Sequence, residues 1–113
     1  NFKQDSYIIR LADTYLMEAE ALGATGDRAQ ALLNAVRARV GLGPVQVSLD
    51  AIKKERRAEL AGEGFRFLDL VRWGEAASKL ADRGFTAGKN EIFPIPNAQL
   101  LGTKLVQNPG YNQ

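Results

Sequence analysis

The segment Glu55-Arg56-Arg57-Ala58-Glu59-Leu60-Ala61-Gly62-Glu63-Gly64-Phe65-Arg66-Phe67-Leu68-Asp69-Leu70-Val71-Arg72-Trp73 constrains this chain more than any other. It interleaves charged residues with large apolar ones. Placed on a wheel at about 100° per residue, residues 49–62 form a helix with Leu49, Ile52 and Leu60 as its apolar stripe. Arg56 falls in the middle of that stripe, Glu63 close to it and Glu59 at its edge, while Lys53, Lys54 and Arg57 lie away from it. The spacing predicts a further helix over 65–81. Phe67, Leu68, Leu70, Val71, Trp73 and Leu80 make it apolar nearly all round, which predicts a central position. That helix also carries Arg66, Asp69 and Arg72. A buried charge is costly unless it is paired, so the segment encodes either a buried ion-pair network or a site.

Charge balance favours the network. Arg66–Asp69 and Asp69–Arg72 are i,i+3 pairs on one helix. Arg56, Glu59 and Glu63 are the natural cross-helix partners, and the planar guanidinium fork suits a carboxylate with two hydrogen bonds. The competing reading is a carboxylate-rich site at Glu59, Glu63 and Asp69. A catalytic acid needs a raised pKa, and neighbouring arginines act in the opposite direction. The expectation is therefore a structural ion-pair network of Arg56, Glu59, Glu63, Arg66, Asp69 and Arg72. An Arg/Glu hydrolase would instead need one of these carboxylates in a cleft with a raised pKa.

Composition removes several other chemistries. The chain has no cysteine and no histidine, which excludes disulfides, thiolate nucleophiles, Cys/His metal sites and the commonest general base near neutral pH. No metal ligand set and no cofactor motif stand out. Fifteen basic against thirteen acidic residues give a net charge of +2. The two signs are interleaved rather than blocked, so no phosphate-tracking surface and no nucleic-acid partner is expected. No apolar run reaches the ~18 residues of a membrane span, and no signal peptide is evident. The 113 residues fit one domain. A first residue of Asn1 rather than Met suggests a processed protein or, in preference, an excised piece of a longer one.

Three regions are expected: a helical hairpin over 7–40, the charged helix pair over 48–83 and an extended tail over 84–113. In the hairpin, Ile8, Leu11, Ala12, Tyr15, Leu16, Ala19 and Leu22 recur at helical spacing over 7–22, with Asp5 or Ser6 as cap. Ala31, Leu32, Ala35, Val36 and Val40 form the stripe of a second helix over 28–40, capped by Asp27. Arg28, Gln30, Asn34, Arg37 and Arg39 mostly lie outside it, and the last two suit the helix dipole. The short connection Gly23–Asp27 makes the two helices antiparallel neighbours. Gly41-Leu42-Gly43-Pro44 is a breaker, Val45–Val47 is extended at most, and Ser48 is a good N-cap.

The tail holds three of the four prolines. Glu91-Ile92-Phe93-Pro94-Ile95-Pro96 reads as extended, Asn97 caps a short turn through Leu101, and Asn108-Pro109-Gly110-Tyr111 is a turn. Ile92, Phe93, Ile95, Leu100 and Leu101 are too apolar for a free linker, so the tail is expected to wrap the helices. Gly84–Asn90 has the outline of a phosphate loop but has one residue too few between its glycines and Asn90 where Ser or Thr should stand. The aromatic residues mostly occupy core positions, with Phe93 and Tyr111 the best placed to be exposed.

These blocks also carry a resemblance. Arg10–Ala21 resembles the helix that opens the C-terminal region of the SusD/RagB family, and Leu33-Asn34-Ala35-Val36-Arg37-Ala38-Arg39-Val40-Gly41-Leu42 its next helix and exit. Glu55–Leu60 followed by Glu63–Gly74 is similar to the most recognisable signature of that family. Phe93-Pro94-Ile95-Pro96 and Gln107-Asn108-Pro109-Gly110-Tyr111 resemble its ending. Five blocks in family order are far more specific than one.

The resemblance implies a mainly α fold of antiparallel, tetratricopeptide-like hairpins with an irregular, Pro-containing C-terminal segment. It implies a non-catalytic part of a lipoprotein at the outer face of the outer membrane in Bacteroidetes. Such proteins bind oligosaccharides or other nutrients and act as a lid on a SusC-like TonB-dependent transporter. Complete members are several times longer and begin with a lipid anchor. Their glycan contacts come largely from outside the C-terminal region, so Arg56, Glu59, Glu63, Arg66, Asp69 and Arg72 carry over as scaffold residues, and no ligand-binding residue carries over. The alternative is a free-standing helical-repeat module for protein partners, which predicts an exposed apolar groove on the first hairpin.

Overall fold

The computed structural model describes residues 8–111. Among them every regular element is helical: α1 (Leu11–Ala21), α2 (Gly26–Arg39), α3 (Leu49–Glu59), α4 (Phe65–Arg72), α5 (Ala76–Lys79), a 3₁₀ turn (Ala81–Arg83) and α6 (Asn97–Leu100). The chain divides into two compact units, one ending at Gly64 and the other beginning at Phe65.

In the first unit α1, α2 and α3 pack on one another. Ala12, Leu16 and Ala19 of α1 meet Ala29, Leu32, Leu33 and Val36 of α2, with Val47 and Ile52 closing the core. The alanines let the helices approach closely, and interdigitated aliphatic chains fill the rest. The α1–α2 connection of four residues is the short, hairpin-forming kind. α1 stops where Ala24 N–H bonds the Ala19 carbonyl (3.0 Å) and Gly23 N–H the Glu20 carbonyl (2.9 Å), which satisfies carbonyls the helix leaves open.

Several expectations are corrected here. α1 begins at Leu11, not at 7, because its N-cap Arg10 is extended (φ −119°, ψ 153°); the candidate caps Asp5 and Ser6, and Tyr7, lie outside the described residues. Ile8, Leu11 and Leu22 are exposed, and Asp13 is buried in their place. The N-cap of α2 is the extended Thr25, without a side-chain cap bond, and Asp27 lies in the first turn. Its buried set takes in Ala29 and Leu33, while Ala31, Ala35 and Val40 face solvent. Gln30 and Asn34 hold the following loop: Gln30 donates to the Val45 carbonyl (2.6 Å) and accepts from Val47 N–H (2.8 Å), and Asn34 accepts from Val45 N–H (3.2 Å). Ser48 caps α3 by accepting from Ala51 N–H (3.1 Å), as its sequence position leads one to expect. Leu49, on the expected stripe, is exposed, and Glu55 is buried. α3 ends at Glu59, three residues early.

In the second unit the helix expected over 65–81 is broken. Gly74, at φ +69°, adopts a left-handed conformation that costs glycine little. Glu75 N–H then bonds back to the Leu70 carbonyl (2.8 Å), so α4 stops and α5 restarts as a separate turn. α4 buries Asp69 and Leu70, yet Leu68 is 58% exposed. It is therefore not apolar-packed on all sides. α6 is capped by Pro96 rather than Asn97, which is its first residue.

The tail folds back on α4 through Phe93, whose ring centroid lies 5.8 Å from that of Phe67, while Phe85 lies 6.3 Å from Phe67. Prolines deny the Ile92–Pro96 strand-like stretch a ladder, and side chains replace it. Gln107 accepts from Ile95 N–H (2.8 Å) and donates to its carbonyl (2.8 Å). Asn108 donates to the Phe93 carbonyl (2.7 Å) and Tyr111 OH to that of Ile92 (3.0 Å). Gly110 sits so close to the Lys89 stem that an added Cβ would lie 3.0 Å from Lys89 Cγ.

Candidate functional site

Charged residues of the first unit pair across its helices. Arg56, in the apolar stripe of α3, donates from Nη1 to Asp13 Oδ1 at 2.7 Å, and both side chains are buried (3% and 4% exposed). Arg10, just ahead of α1, reaches across to α3. Its Nε and Nη2 clamp the two Glu63 oxygens at 2.9 and 2.7 Å, Nη1 donates to Glu59 Oε1 at 2.9 Å, and Nη2 also meets the Glu59 carbonyl at 2.9 Å. The last contact satisfies a carbonyl at the end of α3. Arg39 of α2 donates to both Glu59 oxygens at 2.7 and 2.8 Å. Arg37 donates to the buried Glu55 at 2.7 Å and to the Gly43 carbonyl at 2.8 Å.

These pairs decide the chemistry available. Burial raises the pKa of Glu59, but hydrogen bonds from Arg10 and Arg39 outweigh it and hold the carboxyl below its ordinary value. Hydrogen bonds to Glu63, then to Glu59, push the Arg10 guanidinium further up. A carboxylate held ionised by two arginines is a poor proton donor.

The six residues singled out from the sequence are thus distributed as follows. Arg56, Glu59 and Glu63 on and after α3 bond Asp13, Arg10 and Arg39 from the first hairpin. In the second unit Arg72 Nε bonds Asp69 Oδ1 at 2.9 Å, and its guanidinium lies 4.7 Å from the Trp73 ring centroid. Arg66, half-buried on α4, joins none of these pairs. Sequence reasoning missed Asp13, Arg10, Glu55 and the pairing role of Arg37 and Arg39. A signal existed for two of them: Asp13 lies three residues before Leu16, and Glu55 three after Ile52, so each shares a helix face with a core residue.

The second unit has an open cleft of about 380 Å³ lined by Phe67, Leu80, Arg83, Phe85, Phe93 and Tyr111. Phe93 is 71% exposed, while Tyr111 is half-buried with its hydroxyl engaged by Asn90 (3.3 Å) and Ile92. Gly84–Asn90 is a closed turn, in which Asn90 accepts from Thr86 N–H (2.6 Å) and Glu91 from Gly88 N–H (3.0 Å). Its amides point inward and do not form a phosphate cradle. Among the described residues no cluster of acidic side chains could hold a metal, and no helix is long and apolar enough to cross a membrane.

Comparison with known proteins agrees with this helical framework. A family model described as the SusD family (SusD_RagB) matches residues 1–111. A SusD-like protein of Formosa agariphila, P25, is 38% identical over 119 residues, covering 88% of this chain and 23% of its own. A SusD-like protein of Bacteroides ovatus is 38% identical over 79 residues, covering 65% of this chain and 14% of its own. A solved laminarin-binding SusD-like protein superimposes with a TM-score of 0.96 at 70% identity, covering 98% of this chain and 24% of that one. The chain spans about a quarter of the length of the solved relative and of the Formosa protein. With the SusD family model matching residues 1–111, the chain belongs to the SusD/RagB family.

Proposed function

We propose that this chain is a non-catalytic scaffold within a SusD-like glycan- or nutrient-binding lipoprotein of the outer membrane, displayed at the extracellular face and working with a SusC-like TonB-dependent transporter. The observation that carries the scaffold role is the commitment of the signature carboxylates: Glu59 and Glu63 are both held by Arg10, and Glu59 also by Arg39. Glu59, held below its ordinary value by hydrogen bonds from two arginines, is a poor proton donor, and both carboxylates direct their oxygens at arginine. The 70%-identical laminarin-binding relative supports a laminarin-like glycan as the ligand of the whole protein. That ligand is reached through the rest of such a protein, so laminarin oligosaccharides titrated calorimetrically into the 113-residue chain should give no binding tighter than millimolar. Binding at millimolar strength or better would place a sugar site here and end the scaffold reading. The alternative, a free-standing helical-repeat module for protein partners, draws on one observation: the first hairpin does carry an open apolar groove, lined by Leu11, Tyr15, Ala35 and Val36.

A further inference from the structure

The cleft of the second unit has a volume of about 380 Å³, within the roughly 300–1,000 Å³ of small-molecule sites. Four of its lining residues are aromatic: Phe67, Phe85, Phe93 and Tyr111. The Phe85 and Phe93 rings are tilted by 54° and 40° against Phe67, so the wall presents both ring faces and ring edges. The polar groups on this wall are not equally available. Tyr111 OH donates to the Ile92 carbonyl and accepts from Asn90 Nδ2, while Asn90 Oδ1 accepts from Thr86 N–H. That leaves Arg83. It is exposed and lines the cleft, and among the described residues no carboxylate or carbonyl engages its guanidinium. A second cation flanks the Tyr111 wall: Lys89 Nζ lies 4.9 Å from that ring's centroid.

This combination selects among ligands. A neutral sugar carries hydroxyls around its ring and would meet a single free polar side chain here. A cation would be opposed by Arg83 and Lys89. A wholly apolar molecule would take water from the guanidinium and return no hydrogen bond. A flat aromatic ring bearing a carboxylate answers both features. The ring packs on the aromatic walls, and the carboxylate accepts two parallel hydrogen bonds from the guanidinium fork. We propose that this cleft binds a small arylcarboxylate, with its ring against Phe67, Phe93 and Tyr111 and its carboxylate on Arg83. The site is separate from the glycan ligand of the whole protein and adds a second ligand class to the chain.

Cinnamate tests this, with cinnamamide as its uncharged counterpart. Each is titrated to about 20 mM into the isotope-labelled 113-residue chain and followed by backbone amide shifts. Cinnamate should give saturable shifts at Phe67, Phe85, Asn90 and Tyr111, with cinnamamide weaker by about fivefold or more. Arg83→Gln should reduce cinnamate to the level of cinnamamide, and Arg83→Lys should keep part of the difference. Phe93→Ala should weaken both ligands alike and preserve their ratio. Arg83 is exposed, so its substitution spares the fold, and unchanged amide shifts in the first unit check this. Equal affinity for acid and amide, no effect of Arg83→Gln, or no saturable shift at these residues would each overturn the proposal. The same titration is made on the laminarin-binding relative with its matching quarter replaced by this chain. Cinnamate binding that Arg83→Gln weakens is expected there too, and its absence would mean that the cleft is covered in a complete chain and would overturn the site. Laminarin binding by that chimera reads the scaffold hypothesis separately. Retained laminarin binding without cinnamate binding would sink only the cleft, and the reverse would sink only the scaffold reading.

Discussion

The two units of this chain solve the same problem, holding short helices in place, by different means. The first unit uses a continuous aliphatic core and ion pairs between residues far apart in sequence, 43 positions for Asp13–Arg56 and 49 for Arg10–Glu59. The second buries little beyond Asp69, Leu70 and Ala76. It closes through side-chain bonds to the backbone of an extended, proline-bearing segment and through contacts of Phe93 and Phe85 with Phe67. The contrast explains why charge is so prominent in the first unit. In the first unit arginine supplies long, forked connectors that specify which helix faces which. In the second, amide side chains satisfy carbonyls and N–H groups that prolines have barred from a sheet.

Breaking a buried connector should have the largest effect. Arg56→Ala leaves Asp13 buried without this partner, and is expected to lower unfolding free energy by about 3–5 kcal/mol in a urea melt. Replacing both partners by apolar residues, as in Arg56→Met with Asp13→Leu, should recover most of that loss. The second unit should respond less. Gln107→Ala removes two bonds to Ile95 and should cost about 1–2 kcal/mol. Gly110→Ala combines a positive φ (+81°) with a close approach to Lys89 and should raise amide exchange at Ile92–Ile95 without altering exchange in α1.

Smaller still is the pH effect at Glu59. Its folded pKa lies below the unfolded value, so its contribution is present above about pH 4.5 and is lost as pH falls through the folded value. The loss in stability between about pH 7 and 3 should therefore be smaller in Glu59→Gln than in the parent, measured by urea midpoints, with a difference of no more than about 1 kcal/mol. Arg39→Ala should change least, within about 1 kcal/mol, because its side chain is 58% exposed. A larger loss there would mean that the rim pair, and not only the buried pair, holds the helices.

What was legible in the sequence follows the range of the interaction. The order of the first three helices, the Ser48 cap and the Gly41–Pro44 break all rest on contacts within a few residues, and periodicity and turn chemistry report these directly. The helix over 65–81 was misread because its apolar pattern continues across Gly74, and only the left-handed backbone there ends α4. Arg56 was recognisable as buried from its place on the wheel, but its partner was not. Asp13 is 43 residues away, and nothing local distinguishes it from a solvent-facing acid except its spacing to Leu16. Leu11 and Ile8 fit the helix stripe equally well, but they sit on the open side of the hairpin, a distinction that depends on which helix lies opposite.

The central claim is that the signature charges are struts between helices. A double-mutant cycle on Asp13→Ala and Arg56→Ala tests it most directly, with unfolding free energies of the parent, both single variants and the double variant. The account predicts a coupling of about 2–3 kcal/mol, with the double variant close to the worse single variant. Additive losses, with coupling below about 0.5 kcal/mol, would contradict it.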